Sequence, residues 1–109
     1  MASADDFRRL ALAFPGAEER AHMGHPDFRV GGKIFATLHA AANATGAVML
    51  MPEQQELAIE AEPQAFSAAA GAWGRSGSTI VALAEVSNEW LERALTWAWR
   101  KRAPKSLLN

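Results

Sequence analysis

The chain contains no cysteine in 109 residues, which excludes disulfides, zinc–thiolate centres and thiol catalysis. Histidine is scarce, with three in all, and none follows His39. "GRSGS" around Ser76 comes close to a nucleophile elbow, but Ser78 stands where the last glycine belongs. That elbow also needs its acid and histidine later in the chain. Ser76 therefore reads as a loop residue bonding to nearby backbone. No apolar run approaches the roughly 20 residues that cross a membrane. The start, "MASADDFRRLALAF", puts acids ahead of its apolar positions and has no signal-peptide pattern. The expectation is a cytoplasmic protein without membrane association. A global excess of positive charge is missing too: net charge is −1 and the pI about 6.3, so no basic field announces a nucleic-acid partner.

What is present is ordinary for a globular protein. Half of the chain (50%) is hydrophobic and 21% is charged, and the length suits a single core. No internal repeat or linker divides it, so residues 1–109 are read as one domain. Charge is unevenly spread. Glu53, Glu56, Glu60 and Glu62 cluster mid-chain, while Arg93, Arg100, Lys101, Arg102 and Lys105 crowd the end, where no acid follows Glu92. A basic end of this kind ordinarily complements the negative pole of a helix.

Ser3 can cap a first helix with Asp5 and Asp6 in its first turn. Phe7, Leu10, Ala11 and Phe14 follow helical spacing, and Pro15-Gly16 stops it. "AEERAHMG" has the character of a polar edge strand. In "HPDFRVGGKIFATL", Gly31-Gly32 separates two strand-like runs, and both glycines can take the positive φ of a tight hairpin turn. That turn pairs Val30 with Lys33, Arg29 with Ile34 and Phe28 with Phe35. Phe28, Val30 and Phe35 then share one face, and Arg29, Ile34, Ala36 and Leu38 the other. "AANATG" is turn chemistry and "AVMLM" a buried strand. Pro52 opens a helix through about Ala61, which Pro63 ends. A short helical piece is expected around Phe66 to Ala70, then a glycine-rich loop "GAWGRSG" and a last strand "STIVAL". Ser87 caps the final helix, with Trp90, Leu91, Ala94, Leu95 and Ala98 on its apolar face and Trp97 and Trp99 at the margins. Beyond Pro104 the tail is expected to be loose. This order implies an α+β fold, with an antiparallel sheet packed on one face by N- and C-terminal helices.

Other chemistry is sparse. "HMGH" places His22 three residues from His25, with His39 as a conceivable third ligand and Asp27 as the nearest acid. Residues three apart in a strand point to opposite faces, so a joint metal site would need the turn at Gly24 to unite them. No metal is expected. Gly71, Gly74 and Gly77 are evenly spaced, but a phosphate loop needs a Lys-Ser/Thr pair opening a helix, and here the loop contains no lysine and leads into a strand. Of the four tryptophans, Trp90 reads as core, and Trp73, beside Arg75, as the surface aromatic best placed for stacking.

Taken together, "FPGAEE", "GHPDFRVGGKIFATL", "VMLMPEQQELAIEAEPQAF", "WGRSGSTIVAL" and "VSNEWLERALTWAWRKRAPKSL" resemble the MmcQ/YjbR family over nearly the whole chain. The resemblance implies a CyaY-like fold, similar also to the C-terminal DNA-binding domain of a phage transcription factor. It implies no cofactor and no catalytic residue. The family is commonly described as DNA-binding, an assignment resting mainly on fold similarity. Where many relatives carry a His-Met-Asn-Lys type segment before the last strand, this chain has "AWGRSGS", with Arg75 its one cation. Asp5 and Asp6 stand beside Arg8 and Arg9, so the acidic ridge of frataxin-like iron binders is absent.

The expected protein is thus a small non-catalytic binding domain. Its first expected partner is DNA, bound weakly and with salt sensitivity. Arg29 and Lys33 at the hairpin and Arg75 at the glycine loop would make the contacts, with phosphate contacts from Arg100, Lys101 and Arg102. The alternative is a protein- or small-molecule-interaction module using a half-apolar open sheet face, with Arg29 meeting an acidic group. Nothing in the sequence fixes the oligomeric state.

Overall fold

Ser3 starts the first element. Its Oγ accepts the Asp6 N–H at 3.1 Å while the Asp6 carboxylate accepts the Ser3 N–H at 3.0 Å. This reciprocal capping box opens α1, Ala4–Leu12. The computed structural model describes residues 2–39 and 44–108. Strands β1 (Glu18–His22), β2 (His25–Val30), β3 (Lys33–Leu38) and β4 (Thr45–Met49) follow, then α2 (Pro52–Ala61), β5 (Phe66–Ala68), α3 (Gly71–Arg75), β6 (Ser78–Ala82) and α4 (Asn88–Arg102). Part of the "AANATG" turn lies outside the described residues, and Thr45 and Gly46 already belong to β4. The strands form one six-stranded sheet in the order β1-β2-β3-β4-β6-β5, and every neighbouring pair is antiparallel. The expected α+β architecture is therefore the observed one.

The β2–β3 turn is built as expected, with Gly31 at φ 59 and Gly32 at φ 79. Val30 faces Lys33 and Arg29 faces Ile34, but Phe28 faces Ala36 rather than Phe35, because the register shifts at Phe28/Arg29. Phe35 is the extra residue of a β-bulge. A bulge sets two residues against one, so Phe35 and Ala36 both turn toward the helices, and the strand beyond changes face. Ala36 and Leu38 consequently belong to the core, not to the open face, and Thr37 replaces them there.

Helix α4 lies over β3 and β4, with α1 alongside. Phe28, Phe35, Val48 and Val81 are fully buried beneath them, beside Phe7, Leu91 and Leu95. Each such side chain contributes about 1.5–3 kcal/mol on leaving water. Trp99, not Trp90, is the buried tryptophan of α4: it stacks on Phe14 at 5.5 Å, and its indole N–H donates to the Pro15 carbonyl at 3.0 Å. Trp90 is half-buried, with the Arg93 guanidinium 4.6 Å above its ring.

Three further expectations are corrected. Phe66–Ala68 is the edge strand β5, not a helical piece, since its pairing with β6 overrides the helical preference of the alanines. "GAWGRSG" holds the short helix α3. The tail is also packed: Lys105–Leu107 form a 3-10 turn, and Leu107 lies against the core near Gly16. No helix among the described residues is long and apolar enough to cross a membrane.

Candidate functional site: an open sheet face with a cation-lined groove

Helices cover one face of the sheet. On the other, the register sets Asp27, Thr37, Ala47 and Ile80 in one cross-strand row, with Met49 opposite Ser78 in another. This face forms a groove of about 810 Å³ whose floor is Ile34, Ala47, Met49 and Ile80. Trp73 of α3 stands at its rim with 76% of its surface exposed, beside Arg102 from the end of α4. Lys33 lines it at the hairpin, and His22, Arg29 and His39 line it from β1, β2 and β3. Among the described residues, no carboxylate lines the groove.

The α3 platform that carries Trp73 is fixed from below. Buried Gln55 of α2 points its amide nitrogen at the carbonyls of Gly74 and Ser78 and at Thr79 Oγ1, each 3.1 Å away. Thr79 in turn donates to the Gly77 carbonyl at 2.8 Å. Gly74 is required there, because a Cβ would lie 1.8 Å from the Ala69 carbonyl oxygen.

Among the described residues, Asp27 is the one fully buried acid. It and Arg29 are two residues apart on β2 and so share a face. Arg29 Nε donates to Asp27 Oδ1 at 2.8 Å and Nη2 to Oδ2 at 3.1 Å, while His22 Nδ1 lies 2.7 Å from Oδ2. The Arg29 guanidinium holds the Asp27 carboxyl below the usual carboxylate range; burial opposes that shift and His22 adds to it. The β1–β2 turn at Met23 and Gly24 sets His22 opposite His25, so both reach one face after all. Ring centroids are 6.5 Å apart for His22 and His25, and 5.9 Å for His25 and His39. Burial, then the neighbouring His25, push His39 below the ordinary histidine range. Among the described residues no group of three or more His, Cys, Asp or Glu side chains is placed to hold a metal ion.

Of the cations singled out in the sequence, Arg29, Lys33 and Arg102 meet at the groove. Lys101 lines an adjoining cleft, its Nζ donating to the Leu50 carbonyl at 2.8 Å. Arg75 and Arg100 are exposed and line neither cavity. The hairpin cations are thus joined by the end of α4 rather than by the glycine-loop arginine. Sequence reasoning passed over Asp27 as a partner of Arg29; the acid-x-base spacing on one strand was the available signal.

A six-stranded antiparallel sheet, helical on one face and open on the other, places the chain among small α+β sandwich domains. The YjbR family model matches residues 12–101, and the chain belongs to that family, as its sequence motifs suggest. Among solved structures it is similar to the Deinococcus radiodurans protein DR2400, described by the family-model domain DUF419, with a TM-score of 0.77 at 20% identity. The match covers 98% of this chain and 86% of that one, a likeness of fold. No curated protein matches the chain.

Proposed function

We propose that the chain is a non-catalytic binding protein whose ligand is DNA, taken as an unpaired strand on the open sheet face. The carrying observation is the groove itself, lined by Arg29, Lys33 and Arg102, free of carboxylates among the described residues, and rimmed by the exposed ring of Trp73. Reading a duplex from its major groove takes an element that protrudes into it. A concave face with a cationic rim and an exposed aromatic suits unpaired bases instead, because any base can stack on the ring while its phosphate meets a cation. The family's DNA-binding description points the same way.

Few phosphates can be neutralised by so few cations, so affinity is low and strongly salt-dependent. With about three contacts and a slope of roughly −0.7 per contact, raising salt from about 50 to about 200 mM weakens binding roughly 20-fold. Fluorescence anisotropy of a labelled oligonucleotide, single-stranded against duplex, tests this. The single strand is expected to bind better, and Trp73→Ala to weaken it about tenfold, within the range for loss of one stacked base. Equal binding of duplex, or none of either at low salt, would overturn the reading.

A second reading, a small-molecule or protein-interaction module, is favoured by the apolar floor of Ile34, Ala47, Met49 and Ile80 and by the groove volume of about 810 Å³. That volume falls within the roughly 300–1,000 Å³ of small-ligand sites. Binding of an apolar acid, or of a protein partner, that persists at high salt would select this reading.

A further inference from the structure

Building on the open face as the binding surface, we propose that the small cleft at its Arg102 end is a phosphate subsite. The cleft measures about 110 Å³ and opens beside the groove, with Met49, Trp73, Ser78 and Arg102 lining both. Ser76 and Lys101 complete its lining. The polar groups of its lining side chains are therefore two hydroxyls, an ammonium, a guanidinium and the Trp73 indole N–H, with no acid among the described residues. A cleft of this size and lining accommodates one phosphate group.

Two observations mark the cleft as a site rather than a gap. The Nε of Arg102 is shut off from solvent and has no hydrogen-bond partner among the described residues. A buried donor left in this state is costly, and a turn of the guanidinium that presents it to an oxyanion in the cleft removes the cost. Secondly, neither Lys101 nor Arg102 is ion-paired with a carboxylate among the described residues. Lys101 spends one N–H on the Leu50 carbonyl and keeps two. Burial and the adjacent Arg102 push its pKa below the ordinary lysine value, a crowding of positive charge that an anion relieves.

Donors of three kinds, arriving from Ser76 just past α3, from β6 and from the end of α4, match a tetrahedral oxyanion better than a flat carboxylate. The chain geometry then orders the ligand. A phosphate held by Arg102 and Lys101 leaves its organic substituent to run past Trp73 onto Met49 and Ile80. The class is a phosphate ester that carries a planar or apolar body, whether a strand's backbone phosphate with its base or a free phosphomonoester.

NMR titration of backbone amides with inorganic phosphate, phenyl phosphate, benzoate and a single-stranded oligonucleotide tests the assignment. Phosphate is expected to shift the amides of Ser76 to Ser78 and of Arg102. Phenyl phosphate should bind there about tenfold more tightly, because its ring adds the Trp73 contact, and benzoate more weakly than phenyl phosphate. Arg102→Gln should weaken both phosphates at least about tenfold, as expected for loss of a charge-assisted contact, while Arg100→Gln on the same helix should change nothing. The Ser76→Ala, Ser78→Ala double variant probes the cleft without touching α4 and should weaken phosphate as well. Shifts confined to other residues, or phosphate binding unchanged in Arg102→Gln and in the serine variant, would overturn the subsite. Phosphates bound at the cleft with no oligonucleotide binding would uphold the subsite and end the DNA reading. Oligonucleotide binding that ignores both variants and is not displaced by phenyl phosphate would do the reverse.

Discussion

Replacing Gly77 by alanine is expected to destabilise the protein by about 3–6 kcal/mol, a large part of the roughly 5–15 kcal/mol that holds a domain folded. Gly77 sits at φ +112, where side chains are strained, and a Cβ there would lie 1.8 Å from the Leu50 carbonyl oxygen and 2.8 Å from its carbon. Neither neighbour is a flexible side-chain end, so backbone must move. Backbone strain of this kind costs about 1–3 kcal/mol, and the displaced hydrogen bonds about 1 kcal/mol each. Three of them converge here. The Gly77 carbonyl accepts from the Leu50 N–H at 3.1 Å and from Thr79 Oγ1 at 2.8 Å, and the Leu50 carbonyl accepts from Lys101 Nζ at 2.8 Å. The change therefore loosens β4, β6 and α4 together. Gly32→Ala is the control: its φ is +79 but nothing lies within 4 Å of the added methyl, so only the backbone preference of about 1–2 kcal/mol is lost. Urea unfolding midpoints measure both. A Gly77→Ala loss no larger than that of Gly32→Ala would show that the close approach to Leu50 carries no energy.

The sequence announces such features unevenly. The starts of α1 and α4 were legible because Ser3 and Ser87 cap them with their own side chains, and the β2–β3 turn because few pairs other than Gly-Gly accept two positive φ values in a row. These are local signals with local causes. The face of β3 was not legible, since alternation assumes an unbroken ladder, and one extra residue at Phe35 turns Ala36 and Leu38 inward. The burial of Trp99 in place of Trp90 depends on Phe14 and Pro15, more than eighty residues away in the chain. A helical wheel defines a face but cannot say which margin a distant partner covers. The groove follows the same division. Arg29 and Lys33 could be joined through the hairpin, whereas Arg102 arrives because Lys101 ties the end of α4 to the Leu50 carbonyl and Pro104 rests on Gly31. Arg75 is close to Trp73 in sequence but stays outside the groove.

Asp27→Asn is expected to move stability and anion binding in opposite directions. In the native protein the buried Asp27 carboxylate is held by Arg29 at 2.8 and 3.1 Å and by His22 at 2.7 Å. Breaking a buried pair by removing one charge costs about 3–5 kcal/mol. Arg29 keeps 27% of its side chain exposed and water can rescue it, and asparagine retains one acceptor, so a loss of about 2 kcal/mol at neutral pH is the better figure. The sign of the pH dependence follows from Arg29 holding the Asp27 carboxyl below its ordinary value. A carboxyl depressed on folding contributes its full stabilisation above the unfolded pKa of about 3.9, and loses it as pH falls through the lower folded value. The gap between wild type and Asp27→Asn, read from urea midpoints, should therefore be widest near neutrality and narrow below about pH 4. A gap that stays constant with pH would mean that the asparagine disturbs packing rather than charge. Binding runs the other way, because the substitution leaves Arg29 uncompensated in a groove already without lining carboxylates. Removing the charge that neutralises Arg29 strengthens the phosphate contact it already makes, most at low salt where charges are least screened, so the less stable variant should hold a single-stranded oligonucleotide more tightly there. Weaker binding by a variant that remains folded would remove Arg29 from the proposed surface and leave its guanidinium only the structural task of neutralising Asp27.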